Sequence, residues 1–149
     1  MRLAFGLLVA ALAGCASTEG TVSSPATVPP LAGTAWLAED IDGRGVIDRA
    51  QTTLVFTEPG QDATRISGSG GCNRYSSPVS IDDETIRFGA LAATRRACPP
   101  ALMDQEARFF AALARTDRFS FTPEGKLVLD DAAGSRQVVM VRTESPPGR

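Results

Sequence analysis

The chain contains no histidine. That absence excludes a Ser-His-Asp triad, a Cys-His nucleophile pair and every metal site built on imidazole. Cysteine is scarce, with three in 149 residues. A zinc site would therefore have to combine thiolates with carboxylates, an unusual ligand set. Long apolar runs are missing too: the longest, residues 3–12, is half of the ~20 residues that a spanning helix needs. Charge of one sign is also lacking, because 15 basic residues face 17 acidic ones. A nucleic-acid partner, which calls for a basic patch or stripe, is not expected.

The first residues carry an address. Arg2 supplies a positive start, the short apolar run follows, and small residues precede Cys15. The segment Leu12-Ala13-Gly14-Cys15 is similar to a bacterial lipobox, in which the chain is cut before a diacylated cysteine. Residues 1–14 are thus read as a lipoprotein signal peptide, with Cys15 as the lipidation site. The alternative is an ordinary signal peptide that happens to meet a cysteine. Two or more acyl chains give a stable membrane anchor where one does not. Ala16 stands where aspartate marks inner-membrane retention in Gram-negative lipoproteins, so the expected address is the periplasmic side of the outer membrane. The cut chain would keep 14 basic and 17 acidic residues, a net charge of about −3.

Residues 15–30 are rich in Ser, Thr, Pro and Ala and bury too little apolar surface to offset ordering, so they read as a flexible tether. Residues 31–143 make one domain of ordinary single-core size, and residues 144–149 read as a disordered tail. Strands are expected over residues 34–41, 52–57, 63–69, 78–81, 85–88, 118–122, 126–130 and 137–142, separated by turns at Asp42-Gly43, Pro59-Gly60, Asp82-Asp83 and Pro123-Glu-Gly125. Their alternation predicts an antiparallel sheet with one face on a core. Pro100–Arg115 breaks that pattern. Leu102, Met103, Phe109, Phe110 and Leu113 recur at helical spacing, with Glu106 and Arg108 at polar positions. A helix packed on the concave side of the sheet is expected, rather than a ligand-binding stripe. The core should centre on Trp36, Phe56, Ile86, Phe88, Phe109, Leu113, Phe119 and Leu129.

Two segments concentrate the remaining interest, Gly68-Ser-Gly-Gly-Cys-Asn-Arg-Tyr75 and Thr94-Arg-Arg-Ala-Cys-Pro99. With Cys15 consumed by lipid, an even pair remains in an oxidising compartment, and a Cys72–Cys98 disulfide is expected. A loop of that size stabilises by roughly 3–4 kcal/mol in the chain-entropy model. The glycines before Cys72 are not a phosphate loop, since no Lys-Ser/Thr and no helix follow them. They suit a turn with positive φ and a close strand approach. Asp82, Asp83, Asp130 and Asp131 fall in turns, where solvated charge is expected rather than paired glycosidase carboxylates. Arg74, Arg95 and Arg96 flank the cysteines and would converge once the disulfide forms. They make a possible anion-binding patch, or else pair with Glu58 or Glu106.

In order along the chain stand Leu31-x-Gly-Thr-x-Trp36, Thr53-Leu-x-Phe56, Ile66-Ser-Gly-Ser-Gly-Gly-Cys-Asn-Arg-Tyr75, Phe88-Gly, Thr94-x-x-Ala-Cys98 and Leu102-Met-x-x-Glu106. This series resembles the META domain, the family of HslJ-like heat-shock lipoproteins, over nearly all of residues 31–142. Ser77 replaces a common glycine and is expected to alter the turn after Tyr75; Arg96 replaces a common methionine. The resemblance implies an α+β fold: a curved, barrel-like antiparallel sheet with one amphipathic helix against it. It also implies links to envelope stress and antibiotic tolerance, and no catalytic residue. The reading that results is a non-enzymatic outer-membrane lipoprotein, monomeric, held to the membrane by its lipid, with no cofactor, no metal and an unknown envelope partner. Two others stay open: a binding module (a hydrolase inhibitor or envelope-ligand binder), and a thiol-dependent enzyme or redox switch.

Overall fold

The computed structural model describes residues 31–57 and 65–144. The signal segment, Cys15, the tether, Glu58, the turn at Pro59-Gly60 and residues 145–149 lie outside the described residues.

Runs of β-branched and aromatic residues become strands here because alternate side chains share one interior. Among the described residues the strands are β1 (Ala35–Ile41), β2 (Arg44–Gly45), β3 (Thr53–Phe56), β4 (Arg65–Ser69), β5 (Arg74–Asp82), β6 (Thr85–Phe88), β7 (Ala92–Ala93), β8 (Thr116–Phe121), β9 (Leu127–Asp131) and β10 (Arg136–Thr143). Every pairing is antiparallel. Eight strands close a barrel in the order β1, β3, β4, β5, β6, β8, β9, β10, with β10 returning to β1 from Ala35↔Thr143 to Ile41↔Val138. Closure removes the free edges that would template aggregation. Strand β2 extends a hairpin from β1 through Asp42 and Gly43, both at positive φ (55° and 72°) as a two-residue type I′ turn requires. Strand β7 lies beside the first half of β5, with Tyr75 opposite Ala93. The thinnest seam is β6–β8, paired at Thr85↔Arg118. Ion pairs Arg87–Asp117 (2.6 Å) and Arg118–Glu84 (3.5 Å) cross it.

Helix α1 (Pro100–Arg115) has the predicted limits. Pro99 and Pro100 start it without a side-chain cap, and the Pro99 carbonyl accepts from the N–H groups of Leu102 and Met103. The Thr116 hydroxyl donates to the Ala112 carbonyl (2.9 Å) at the other end, where the chain turns directly into β8. The helix lies across one mouth of the barrel. Its Arg108 donates to the Ile41 carbonyl at the end of β1 (3.0 Å), and Arg115 to Gln137 at the start of β10 (2.9 Å). Register shifts in β1, β8 and β10 sit at this same rim, where bulges bend strands away from a regular ladder.

The interior is one cluster that includes Trp36, Leu54, Phe56, Ile66, Tyr75, Ile86, Phe109, Leu113, Phe119, Leu127, Leu129, Val138 and Met140. Seven of the eight expected core residues are buried. Phe88 is only half-buried and packs against the cluster from its margin, because it ends β6 at the rim. Two helix assignments also change. Glu106 is buried, not solvated, and Met103 is 44% exposed, not part of the inward stripe. Finally, β5 begins at Arg74 rather than Pro78. No turn follows Tyr75: Ser77 sits inside the strand opposite Ile66, fully buried, with its hydroxyl near the carbonyls of Pro78 (2.8 Å) and Gly89 (3.0 Å).

Phe109 is fully buried and meets Tyr75 edge-on at 5.6 Å between ring centres. Phe109→Ala should lower unfolding stability by about 3–5 kcal/mol, read from the denaturant midpoint. A negligible shift would mean that the helix does not close the barrel.

Candidate functional site

The Gly-Cys-Asn turn between β4 and β5 meets both the segment before the helix and the helix itself. Gly71 takes φ = 109°, which side chains rarely adopt, and that conformation brings successive N–H groups toward α1. A Cβ at Gly70 would lie 2.7 Å from the Glu106 Cγ and Oε2, so only glycine allows the helix this close. Glu106 Oε2 accepts from the Asn73 N–H (2.6 Å) and the Cys72 N–H (3.3 Å), and Oε1 accepts from the Asn73 side-chain amide (2.7 Å). The Asn73 Oδ1 in turn accepts from the Arg96 N–H (2.7 Å) and the Thr94 hydroxyl (2.8 Å). One asparagine thus joins the turn, the pre-helix segment and the helix.

Beside it, Cys72 and Cys98 form a disulfide with a Cα–Cα distance of 6.0 Å. Both sulfurs are engaged, so Cys72 is not a nucleophile in this state. The neighbouring helix residue, Gln105, is fully buried and clasps the loop after β2. Its Oε1 accepts from the Ile47 N–H (2.7 Å), and its Nε2 donates to Thr52 (3.0 Å) and the Ala50 carbonyl (3.2 Å). Sequence reasoning missed Gln105 and Glu106 as buried groups, since adjacent polar residues on a helix read as a solvent face.

Tyr75, next in line, is buried between Phe109 and Phe110 and donates to the Thr53 carbonyl (2.8 Å). Burial pushes its phenol well above the usual value near 10. Arg74, Arg95 and Arg96 are all exposed around this junction. Their backbones are fixed: Arg74 N–H donates to the Thr94 hydroxyl (3.2 Å), the Arg74 carbonyl accepts from Thr94 N–H (3.0 Å), and Arg96 is bound to Asn73. None of the three guanidinium groups has an ion-pair partner among the described residues. The pairing expected with Glu106 is absent because both its oxygens serve the turn; Glu58 lies outside the described residues.

The acids once weighed as catalytic pairs are far apart in the topology. Asp82 and Asp83 lie at the β5–β6 turn, and Asp130 and Asp131 are the last two residues of β9, which β8 and β6 separate from β5. Asp131 caps its own turn through the N–H groups of Ala133 and Ser135. Partial burial raises the Asp130 carboxyl, with Arg136 opposing. Among the described residues no cluster of His, Cys, Asp or Glu is placed to hold a metal ion. No helix of the described residues is long and apolar enough to cross a membrane.

A small antiparallel barrel capped by one helix, with the cap stapled by a disulfide, is the class these features define. The META domain profile matches residues 29–144, and the chain belongs to that family. Membership supports a non-catalytic domain of unclear role. A protein from Burkholderia xenovorans, solved by NMR, is similar in structure with a TM-score of 0.62 and 25% identity, over 77% of this chain and 85% of its own. A second NMR structure has a TM-score of 0.56 at 23% identity, over 74% of this chain and 88% of its own, a likeness of fold. No curated protein matches the sequence significantly.

Two outcomes test the junction. Glu106→Gln turns one acceptor into a donor against N–H groups and should cost about 1–3 kcal/mol of stability, read by thermal or denaturant unfolding; an unchanged midpoint would remove Glu106 as a clamp. Tyr75 is the only tyrosine, so tyrosinate absorbance reads it alone. The fold holds the neutral phenol, so its contribution is whole below the free phenol value of about 10 and declines as pH rises past it. Tyrosinate should appear only as the protein unfolds in alkali. Ionisation near the free value with the fold intact would place the hydroxyl in water.

Proposed function

We propose that the chain is a non-enzymatic lipoprotein of the outer membrane that holds its META barrel in the periplasm and contributes to tolerance of envelope stress and antibiotics. The observation that carries this is the Cys72–Cys98 disulfide, which belongs to an oxidising compartment. It supports export by a route independent of the leader sequence. The Leu12-Ala13-Gly14-Cys15 segment supports the lipid anchor, and the family resemblance supports the stress role. The non-catalytic reading draws on family membership and on the absence of histidine from the whole sequence.

The chain enters the barrel beside Leu31, whose carbonyl accepts from Thr34 while Gly33 bonds the Phe56 carbonyl (3.1 Å). That is the end opposite the helix. An anchor at Cys15 would therefore leave the helix, the disulfide and the arginines on the side away from the attachment point. The tether, fully extended, reaches about 50 Å.

Expressed in a Gram-negative cell, the wild-type chain should fractionate with outer membranes and need detergent for release. Cys15→Ser should give a soluble or uncut form. Equal, detergent-independent solubility of the two overturns the anchor, recovery of the wild-type chain in the cytoplasm overturns the compartment, and a pair of free thiols in exported protein overturns the disulfide that carries the proposal.

A further inference from the structure

Positive charge gathers around the disulfide, and no acid among the described residues forms an ion pair with it. Arg74, Arg95 and Arg96 stand around the disulfide, and a fourth arginine joins them. Arg49, exposed and at positive φ (66°), precedes Ala50, whose carbonyl is 3.9 Å from where a Gly71 Cβ would be. Among the other described basic side chains, Arg87, Arg108, Arg115, Arg118 and Lys126 each make an ion pair, whereas Arg44, Arg65, Arg136 and Arg142, spread over β2, β4 and β10, make none. Arg49, Arg74, Arg95 and Arg96 also make none among the described residues, and they differ from the others in sharing one rim around the Cys72 turn. The acid packed beneath them, Glu106, is taken up by Cys72 and Asn73. The first turn of α1 carries no acidic residue, and Asp48 is the one exposed acid on the Arg49 loop. Beside Arg74 the surface dips into a shallow depression of about 340 Å³ with Ala92, Ala93 and Thr94 along it.

Like charges on one rim repel, and the backbone bonds of Arg74 and Arg96 prevent the segments from moving apart. The folded rim therefore holds them together at a cost that an anion would relieve. Guanidinium forks match the oxygens of phosphate in pairs, and several forks suit a group with several negative charges. We propose that Arg49, Arg74, Arg95 and Arg96 form a binding site for a phosphate-bearing ligand carrying more than one negative charge. The depression beside Arg74 takes the remainder of the ligand. The site is independent of the lipid anchor and stands whether or not Cys15 is acylated.

The test uses the full chain with Cys15→Ser, so that no acyl group brings the protein to lipid. Inorganic tripolyphosphate should bind at low salt and weaken as salt rises, because exposed charges are screened within ~8 Å at physiological ionic strength. The double variant Arg95→Gln/Arg96→Gln should bind roughly tenfold more weakly or worse, from loss of two charge-assisted contacts. Its unfolding midpoint should hold, since Arg96 meets Asn73 through backbone atoms. Arg142→Gln, an exposed arginine at the far end of β10, should change nothing. Vesicles of anionic phospholipid, compared with zwitterionic ones, distinguish the source. Binding to tripolyphosphate assigns a free phosphate ligand, and binding to anionic vesicles alone assigns a lipid headgroup. No binding to either at low salt overturns the site. So does an equal loss in Arg142→Gln, or a tricarboxylate binding as tightly as tripolyphosphate.

Discussion

The helix stays on the barrel because one buried carboxylate is matched by three donors. Glu106 offers only acceptors, and the turn after β4 offers the N–H groups of Cys72 and Asn73 together with the Asn73 amide. A carboxylate this deep is tolerable only when its oxygens are served, and a half-made network would be worse than an apolar contact. The glycines preceding Cys72 follow from this requirement. One provides the backbone conformation, and another leaves room for the carboxylate. The guanidinium groups around the junction have no ion-pair partner among the described residues for the same reason: Glu106, the acid beneath them, is occupied by the turn.

The disulfide and the polar junction join the same segments but act on different states. The covalent link mainly restricts the unfolded chain, whereas the hydrogen bonds favour one docked arrangement of the native one. Cys98 fixes the chain two residues before α1 begins, Gln105 and Glu106 fix the helix in its second turn, and Thr116 passes straight into β8. A helix held at its start, along its inner face and at its end is a permanent closure of the barrel, not a lid.

Much of the architecture was legible in the sequence, and the limits are physical. The limits of α1 followed from Pro99-Pro100 and the 3.6-residue period, and most strands from alternation around turn residues. The first half of β5 was missed because its inward positions are Tyr75 and Ser77. A tyrosine with its hydroxyl bonded to Thr53 and a buried serine do not read as a core face. Gln105 and Glu106 were missed because burial of polar groups depends on partners from distant segments, here 33 to 58 residues away. A signal was present nonetheless. Two glycines before Cys-Asn leave adjacent backbone donors unshielded by side chains, and such a turn calls for an acceptor. The convergence of the arginines followed from the cysteine pairing, but their expected partner did not, since hydrogen-bond allegiance is not written in spacing.

The barrel is polar in the sense that its two ends differ in kind. One end receives the chain at Leu31 and is filled from within by Trp36, whose indole donates to Thr34 (2.7 Å) and packs against Phe121. The other carries the helix, the disulfide, the register shifts and the exposed Arg74, Arg95 and Arg96. At the first end Thr34 and Trp36 serve the core, and their polar groups are spoken for. At the second, α1 completes the core, and Arg108 and Arg115 tie it to the rim, while Arg74, Arg95 and Arg96 are exposed beside it. The backbone of Arg96 is structural, through Asn73, while its guanidinium is exposed and makes no ion pair among the described residues. Separation of the two within single residues lets the stapled rim keep its shape while its charges address something outside the molecule. Recognition by this domain is therefore best sought at the helix-capped end.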